Sequence, residues 1–268
     1  MTIAGRSQQP TGSGNPWHQG YEELVSAARQ APFSGWNFDY LHGRVRECDL
    51  PWSYEDLART EISDSSRVLD LNTGGGELLT AILHDRTPAI AAATESWAPN
   101  VPVAQRRLEP LGVELRPSKE GSPLPAADEE FTLVLNRHGA CDPRELARVL
   151  SAGGTYLMQG VGRLNDVELN TALDGPAPGY RDTATLDHDA TELARAGLQV
   201  IDSGEAFAEY GFLDIGAVVY HLMAVSWQVP GFDVGTYDDA LRQLDHQIRQ
   251  HGGFTVHHHR YFIKASRN

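Results

Sequence analysis

The sequence predicts an α/β fold in which an open, mostly parallel sheet carries helices on both faces. An apolar run at residues 68–71 is cut off by a glycine-rich turn at residues 72–76, and a helix-like run begins at once at Glu77. A second short apolar strand follows at residues 90–95, and we find no repeat and no second glycine fingerprint. Strands that alternate with helical runs in this way are typical of βαβ units with a parallel sheet.

Length and composition are those of an ordinary soluble globular protein. The chain has 268 residues, of which 41% are hydrophobic and 22% charged, so it can bury one large core with or without a cap. No apolar run approaches the ~20 residues that a membrane span needs, so we expect no membrane partner. Two cysteines, Cys48 and Cys141, give no disulfide framework and favour a reducing, cytoplasmic location.

The charge balance bears on the partner. The net charge is −14, from 36 acidic and 22 basic residues, and the densest basic pair is Arg106-Arg107. Such a surface repels a nucleic acid over most of its area, so we expect no nucleic-acid partner. A small-molecule substrate that is neutral or cationic is favoured instead.

The first 62 residues divide into a leader and a cap. Residues 1–16 are rich in Gly, Ser, Pro and Gln and lack a basic start and an apolar segment, which predicts a disordered leader and no secretion signal. Residues 18–31 have apolar side chains at the spacing of one helix face, and Ser53 is a predicted N-cap. We predict that residues 17–62 form a helical cap or lid, with Trp17 lining the substrate site. The alternative is that the aromatic side chains of this segment only pack its helices onto the sheet.

The glycine turn is the strongest functional signal. A strand, a glycine turn and a helix start bring backbone N–H groups close to a nucleotide-like ligand, and glycine has no Cβ to block the approach. An acid at the end of the next strand of an open α/β sheet can accept both hydroxyls of a ribose. The residues that predict this nucleoside site are Asp70, Gly74, Gly76 and Glu95. The alternative is a buried βαβ turn beside a solvated glutamate.

This stretch resembles the class I S-adenosylmethionine (SAM)-dependent methyltransferases. Their motif runs Asp-x-Gly-x-Gly-x-Gly, and residues 70–76 read Asp-Leu-Asn-Thr-Gly-Gly-Gly. Asn72 replaces the first glycine, and asparagine is the residue that best tolerates a left-handed backbone after glycine. The resemblance implies SAM as the cofactor, a Rossmann-like core over residues 63–268 with cap insertions, and a cofactor role for Asn72. A nicotinamide site fits less well because the Gly-x-Gly-x-x-Gly spacing is absent.

The remaining elements continue the same alternation. The predicted elements are helices at 99–111, 142–150 and 189–197 and strands at 113–116, 131–135, 155–159, 198–201 and 256–265. The apolar stretch at residues 215–227 is either core or a dimer contact, so a homodimer stays open. The family resemblance also implies that Glu120 accepts the adenine amino group; a solvated loop acid is the alternative.

The residues after the strand at 131–135 reach the carboxyl end of the sheet, where open α/β folds bind ligands. Asn136 is predicted there as part of the cofactor site. SAM supplies an electrophilic methyl group, so the protein mainly aligns a nucleophile and manages a proton. We predict a catalytic or substrate-orienting role for His138, with a structural histidine as the alternative. Cys141 follows Ala140 rather than a proline and is interpreted as a helix-start residue, not as a nucleophile.

Three further groups of residues have predicted roles. Tyr21, Glu22 and Glu23 are candidates for handling a proton near the substrate, the alternative being surface acids that balance a helix dipole. Trp227 and Phe232 are candidate walls for a flat substrate, the alternative being core packing. The three histidines at residues 257–259 predict no metal site, because neighbours on a strand point to opposite faces and no further ligand lies at the right spacing.

The whole-chain pattern resembles small-molecule methyltransferases of bacterial specialised metabolism. The combination of Tyr-Glu-Glu at residues 21–23 with Asn-Arg-His at residues 136–138 is similar to the indole C3-methylating, pyrroloindoline-forming members. That similarity implies a proton network of Tyr21, Glu22 or Glu23, and His138. The open alternatives are an O- or N-methyltransferase of a phenolic or amine natural product, an RNA methyltransferase, which the charge disfavours, and a non-catalytic SAM-binding protein.

Overall fold

The computed structural model describes residues 19–33, 38–119 and 121–268, and in this part of the chain the predicted α/β architecture is confirmed. One sheet contains eight strands: β1 (Val45–Glu47), β2 (Arg67–Leu71), β3 (Ile90–Glu95), β4 (Glu114–Pro117), β5 (Phe131–Arg137), β6 (Leu150–Val161), β7 (Leu198–Phe212) and β8 (Phe254–Arg267). Their order across the sheet is β1-β7-β8-β6-β5-β2-β3-β4. The predicted leader at residues 1–16, Trp17 and Glu120 lie outside the described residues.

The strand directions define where a ligand would bind. β2 pairs in parallel with β3 and β5, β3 with β4, and β5 with β6. β8 is antiparallel to both β6 and β7, and β1 is antiparallel to β7. The chain builds outwards from β2 on one side through β3 and then returns to the other side at β5. Open α/β sheets bind ligands in the crevice at such a reversal, outside the carboxyl ends of the strands, which here is between β2 and β5.

Helices cover both faces of the sheet. They are α1 (Tyr21–Gln30), α2 (Tyr54–Glu61), α3 (Glu77–Ile82), α4 (Val101–Leu108), α5 (Pro143–Val149), α6 (Val167–Ala172), α7 (Leu186–Arg195), α8 (Ile215–Ala224) and α9 (Asp238–His251). One apolar cluster joins α2, α3 and α4 to one face, and a second joins α5 and α7 to the other. A third cluster packs α1, α8 and α9 against the C-terminal end of β7 and the N-terminal end of β8.

The segment predicted as a helical cap also contributes to the sheet. β1 extends the edge beyond β7, with Val45 opposite Phe212, and Arg44 pairs with Asp214 at 2.8 Å. β7 itself has 15 residues, far beyond the predicted strand at 198–201. The extension escaped prediction because most of its residues are exposed or half-buried and include acids and glycines, so neither an apolar run nor a clear alternation marks it.

Helix ends follow local capping chemistry. The predicted N-cap is confirmed, since the Ser53 hydroxyl accepts a hydrogen bond from the Asp56 backbone N–H at 3.1 Å. The helix predicted at 99–111 is shorter: α4 ends at Leu108, and a single 3-10 turn carries the chain to Gly112, whose φ of 71° ends the helix.

The long apolar stretch at residues 215–227 is core over its first part. The residues of α8 from Ile215 to Leu222 are all buried, packed against α1 and α9. Met223 and Trp227 are 46% and 38% exposed, so the end of the stretch lies at the surface. None of the helices in the described ranges is long and apolar enough to cross a bilayer.

Candidate active site

The turn after β2 has a backbone that few residues tolerate. Asn72, Gly74 and Gly76 have φ values of 53°, 65° and 82°, all in the left-handed region. Glycine accepts this region freely and asparagine tolerates it, so the Asn-Thr-Gly-Gly-Gly sequence matches the turn that it forms. Gly76 is also the N-cap of α3, and a Cβ there would collide with the Leu108 side chain of α4.

Glu95 links the end of β3 to this turn. Its Oε2 accepts a hydrogen bond from the Gly74 backbone N–H at 2.7 Å, and its Oε1 accepts one from the Trp97 N–H at 2.7 Å. The residue is only 4% exposed. A carboxylate has about four acceptor sites, so two remain for the hydroxyls of a ribose. The alternative of a solvated glutamate does not describe this buried residue.

Asp70 lies one strand away, near the end of β2, and is buried. Burial raises the pKa of its carboxyl to about 7, the Thr73 side chain lowers it, and the charge of Glu95 raises it further. Two carboxyls thus lie at the carboxyl edge of neighbouring strands. A ligand with a positive charge or several hydroxyls would relieve their repulsion.

The Asn72 side chain crosses the crevice between β2 and β5. Its Nδ2 donates to the Ala140 carbonyl at 3.4 Å, and its Oδ1 accepts from the Ser96 hydroxyl at 3.5 Å. A Cβ on Gly139 would collide with this amide. The replacement of the first motif glycine therefore has a structural consequence, because the side chain joins the turns after β2, β3 and β5.

Asn136 shapes the turn that carries His138. Its Nδ2 donates to the Gly139 carbonyl and to the Tyr156 hydroxyl, each at 3.0 Å, and its Oδ1 accepts from the Gly139 N–H at 3.0 Å. Both donor hydrogens are thus used inside the protein. The side chain holds the loop rather than presenting a free amide to a cofactor, and His138 within the loop takes a φ of 66°.

A chain of three side chains fixes the imidazole of His138. The Trp52 indole N–H donates to Oε1 of Gln159 at 2.9 Å, and Nε2 of Gln159 lies 3.2 Å from Nε2 of His138. Because the Gln159 oxygen already accepts from Trp52, its nitrogen is the donor to His138. The imidazole is therefore neutral with the hydrogen on Nδ1, which leaves an N–H donor for a ligand.

Charge and enclosure keep His138 neutral. The residue is accessible to solvent, yet the surrounding protein desolvates its ring and lowers its pKa well below the ordinary value. The positive charges of Arg137 and Arg260 lower it further, and so does His258. His138 is consequently a poor proton acceptor in this state and a good hydrogen-bond donor.

Cys141 is not an activated nucleophile. Burial raises the pKa of its thiol to about 12, and Asp142 and Glu145 add to the shift. A thiolate is the nucleophilic form of cysteine, so this residue is inert near neutral pH. The geometry agrees with the interpretation of Cys141 as a helix-start residue.

The N-terminal proton-handling candidates contact α9 or the start of α1 rather than His138. The Tyr21 hydroxyl donates to Oδ1 of Asp238 at 2.9 Å, and burial raises its pKa. Glu22 pairs with Arg242. Oε2 of Glu23 accepts from the Gly20 N–H at 3.2 Å and caps α1. Among the described residues, none of these three side chains bonds to His138, so the predicted proton network is not formed by direct contact.

The two predicted pocket walls have different surroundings. Trp227 is 38% exposed, and its side chain hydrogen-bonds with Tyr180, which lies within reach of the charges of Asp166 and Arg260. Phe232 instead stacks on Tyr237 with ring centroids 5.6 Å apart and packs against the α8 core. Trp227 remains a candidate for substrate contact, whereas Phe232 serves packing.

Two functional candidates escaped the sequence reading. The Trp97 backbone N–H donates to the Glu95 carboxylate, and its indole side chain is 47% exposed, so it is a candidate for stacking against a ligand. Its position two residues after the strand-ending acid was the available signal. Gln159 had no signal of its own, because its role depends on the pairing of β6 with β5.

The histidines at the start of β8 bind carboxylates. Nδ1 of His257 lies 2.7 Å from Glu168, and Nε2 of His259 lies 2.8 Å from Glu205. In the ranges that the structure describes, no three His, Cys, Asp or Glu side chains are grouped so as to hold a metal ion.

The site residues fit a sulfonium nucleoside. The turn after β2 presents glycine backbone, Glu95 offers acceptor sites for a ribose, and Trp97 offers a stacking surface. The crevice at the strand-order reversal supplies the location. The Asn72 bridge is the one feature that a bound ligand would have to accommodate.

Comparison with known proteins gives a clear answer at the level of fold. No family model and no curated protein matches the chain. A Deinococcus radiodurans protein of unknown function is similar with a TM-score of 0.58 and 15% identity, over 92% of this chain and 100% of that one. A candidate methyltransferase from Bacillus halodurans is similar with a TM-score of 0.56 and 17% identity, over 80% of this chain and 96% of that one. The [4+2]-cyclase SpnF is similar with a TM-score of 0.50 and 17% identity, over 80% of each chain.

The chain therefore has a Rossmann-like α/β fold that it shares with these solved structures. In this fold the glycine turn follows β2 and Glu95 ends the neighbouring strand β3, and a cofactor role for both stays a prediction. Similar structures include a cyclase as well as a candidate methyltransferase. A fold hosts more than one reaction, so the reaction has to be argued from the site.

Proposed function

We propose that the chain is a SAM-dependent methyltransferase that acts on a small aromatic metabolite. The observation that carries the proposal is the bond between the Glu95 carboxylate and the Gly74 N–H, which builds a nucleoside site at the crevice of a class I fold. When bound, SAM supplies an electrophilic methyl group. The protein then has to hold the nucleoside, exclude water and orient the acceptor.

The chain has a residue for each part of the cofactor. Glu95 accepts the ribose hydroxyls, Trp97 stacks against the adenine, and the glycine backbone of the turn allows close approach. Glu120 keeps its proposed role as acceptor for the adenine amino group. Asp70 supports the turn, because its buried carboxyl interacts with the Thr73 side chain within that turn.

His138 orients the acceptor in this proposal. Its Nε2 accepts from Gln159, so its Nδ1–H is the group that faces incoming ligand atoms. A hydrogen bond from Nδ1 to the acceptor molecule fixes the angle of attack without a charged imidazole. Trp227 forms part of the wall, next to Tyr180.

Methylation at C3 of a tryptamine-type indole, with ring closure by the side-chain amine, is the narrower candidate. It is supported by the resemblance at residues 21–23 and 136–138. The contacts of Tyr21 and Glu22 with α9 do not favour it, because both would have to leave those partners to share a proton with His138. O- or N-methylation of a phenolic or amine natural product is the alternative that needs only His138.

The test is transfer of label from methyl-labelled SAM to a panel of tryptamines, phenols and amines, with products located by mass spectrometry and NMR. Label at an indole carbon supports the narrower candidate, and label at oxygen or nitrogen supports the alternative. His138→Asn keeps a residue that tolerates φ of 66° and removes the imidazole; because the acceptor would lose its orientation, we expect about a hundredfold lower turnover with cofactor affinity retained. Binding of SAM without transfer to any member would favour the non-catalytic SAM-binding protein.

A further inference from the structure

A cationic patch lies beside His138 on one face of the sheet. Arg137 at the end of β5 is opposite Gln159 of β6, and Gln159 is opposite Phe262 of β8. Residues opposite each other, and residues two apart along a strand, share a face. Arg260 and His258 therefore lie on the same face as Arg137, beyond the aromatic pair of Trp52 and Phe262.

The two arginines of this patch lack carboxylate partners. Among the described residues, no carboxylate lies within 4.0 Å of the guanidinium of Arg137 or of Arg260. Arg260 donates only to neutral groups, the Asn165 amide oxygen and the His259 carbonyl. Arg44 and Arg116 show the contrast, because each forms an ion pair of 2.8 Å or less.

One buried carboxylate lies near the patch, and it is committed to other groups. Asp166 is 1% exposed, and its oxygens lie 3.5 Å from His221, 3.4 Å from His258 and 2.8 Å from the Asn165 amide nitrogen. Of the two guanidinium groups, only that of Arg260 lies within reach of the Asp166 charge. The region carries excess positive charge in a chain whose net charge is −14.

The location separates this patch from the cofactor crevice. β8 is the third strand from β2 in the sheet order, which places Arg260 roughly 14 Å from the turn at a strand spacing of about 4.8 Å. His138 lies between the two. A methyl acceptor that contacts His138 would extend towards Arg260, whereas the carboxylate of a cofactor in the crevice would stay near β2 and β5.

We propose that Arg137 and Arg260 bind an anionic group of the methyl acceptor, a carboxylate or a phosphate. The inference rests on the proposed function and deepens it, since it names the chemical class of the acceptor. The planar fork of a guanidinium matches the two oxygens of either group. The half-buried Trp52 ring, which packs on the buried Phe262 with ring centroids 5.0 Å apart, provides apolar surface on this face for the rest of an aromatic acid. This local charge differs from the neutral or cationic substrate expected from the net charge.

The test compares matched acids and amides by calorimetry. Indole-3-acetate, indole-3-acetamide and phenyl phosphate are titrated into the protein with and without saturating S-adenosylhomocysteine, the demethylated form of SAM. We expect one of the two anions to bind at least about tenfold more tightly than the amide. Whichever anion does so identifies the group as carboxylate or phosphate.

Arginine variants locate the site. Arg137→Gln and Arg260→Gln should each remove about tenfold of the anion affinity, and Arg260→Lys should retain part of it. Arg195→Gln is the matched control, because it changes the net charge equally from a side chain 72% exposed on α7. The affinity for S-adenosylhomocysteine should change less than about threefold in Arg260→Gln.

Several results would overturn the inference. Equal affinity for acid and amide, no binding of either anion, or an equal loss in Arg195→Gln would each do so. A tenfold loss of S-adenosylhomocysteine affinity in Arg260→Gln would assign that arginine to the cofactor instead. Failure of the proposed function has a separate signature: the anion binds through the arginines while S-adenosylhomocysteine gives no heat.

Discussion

Gln159 lies 3.2 Å from Nε2 of His138 and at the same time accepts the indole N–H of Trp52 at 2.9 Å. Trp52, in the N-terminal segment, thus fixes the orientation of the Gln159 amide. The amide in turn fixes the His138 imidazole at the carboxyl edge of the sheet. The N-terminal segment therefore reaches the site through Trp52, and not through the residues at 21–23 that the sequence suggested.

Trp52→Phe tests this relay. Phenylalanine keeps the ring contact with Phe262 but removes the donor that fixes the Gln159 amide. We expect turnover to fall about three- to tenfold, which corresponds to the loss of one neutral hydrogen bond, while S-adenosylhomocysteine binding is unchanged.

Trp97→Ala should have the opposite pattern, with weaker binding of S-adenosylhomocysteine as its main effect. Equal cofactor affinities in wild type and Trp97→Ala would contradict the role of Trp97.

The pH dependence of activity follows from the charges around His138. Enclosure, Arg137 and Arg260 lower its pKa well below 6.5, so the imidazole stays neutral as pH falls from 8 to about 6. We expect kcat/KM to show no acid limb from His138 in that interval. Arg260→Gln should move the limb towards neutral pH. An imidazole that titrates near 6.5 by NMR in the wild-type protein would contradict this assignment.

Asp70 makes stability depend on pH in a defined direction. Its pKa in the folded state, about 7, is above the ordinary 3.8, so the stability that it contributes is present below pH 4 and is lost as pH rises through 7. The loss is at most about 4 kcal/mol. The charged group that acts on it is Glu95.

Asp70→Asn should therefore raise the unfolding temperature relative to wild type at pH 8 and have little effect at pH 4. Thermal unfolding at both pH values measures the difference, and Asp64→Asn in an exposed turn is the control. An equal shift at the two pH values would show that Asp70 does not carry the effect.

Asn72 combines an uncommon backbone with a bridge across the crevice. Asn72→Gly tolerates the left-handed backbone but removes the side-chain bridge to Ala140. Asn72→Ala removes the bridge and also places a Cβ on a left-handed backbone. We expect Ala to lower the free energy of unfolding by about 1–2 kcal/mol relative to Gly. Denaturant titration measures this difference. Indistinguishable Gly and Ala variants would mean that the positive φ imposes no cost.

The sequence predicted the parts of the site that depend on local chemistry. Asp70, Gly74, Gly76 and Glu95 are adjacent to strand ends, and strand ends are readable from apolar runs. The turn geometry followed from the residue types, as the positive φ at Asn72 illustrates.

The contacts that depend on strand pairing could not be predicted from the sequence. Gln159 and Arg260 acquire their places only when β6 and β8 align with β5, at registers that no local pattern specifies. The contact of Asn136 with Tyr156 also depends on the pairing of β5 with β6, and no local pattern predicts it. The β7 extension was missed for a different reason, since an exposed strand alternates too weakly to read.

The most direct test of the account is calorimetric titration of the protein with SAM and with S-adenosylhomocysteine. The account predicts saturable heat with both ligands and at least about a tenfold weaker affinity in Glu95→Gln. Glutamine has only one acceptor oxygen, so it cannot accept hydrogen bonds from the Gly74 N–H, the Trp97 N–H and a ribose together. Glu109→Gln, outside the crevice, should bind like wild type. No heat with either ligand, or unchanged affinity in Glu95→Gln, would contradict the account.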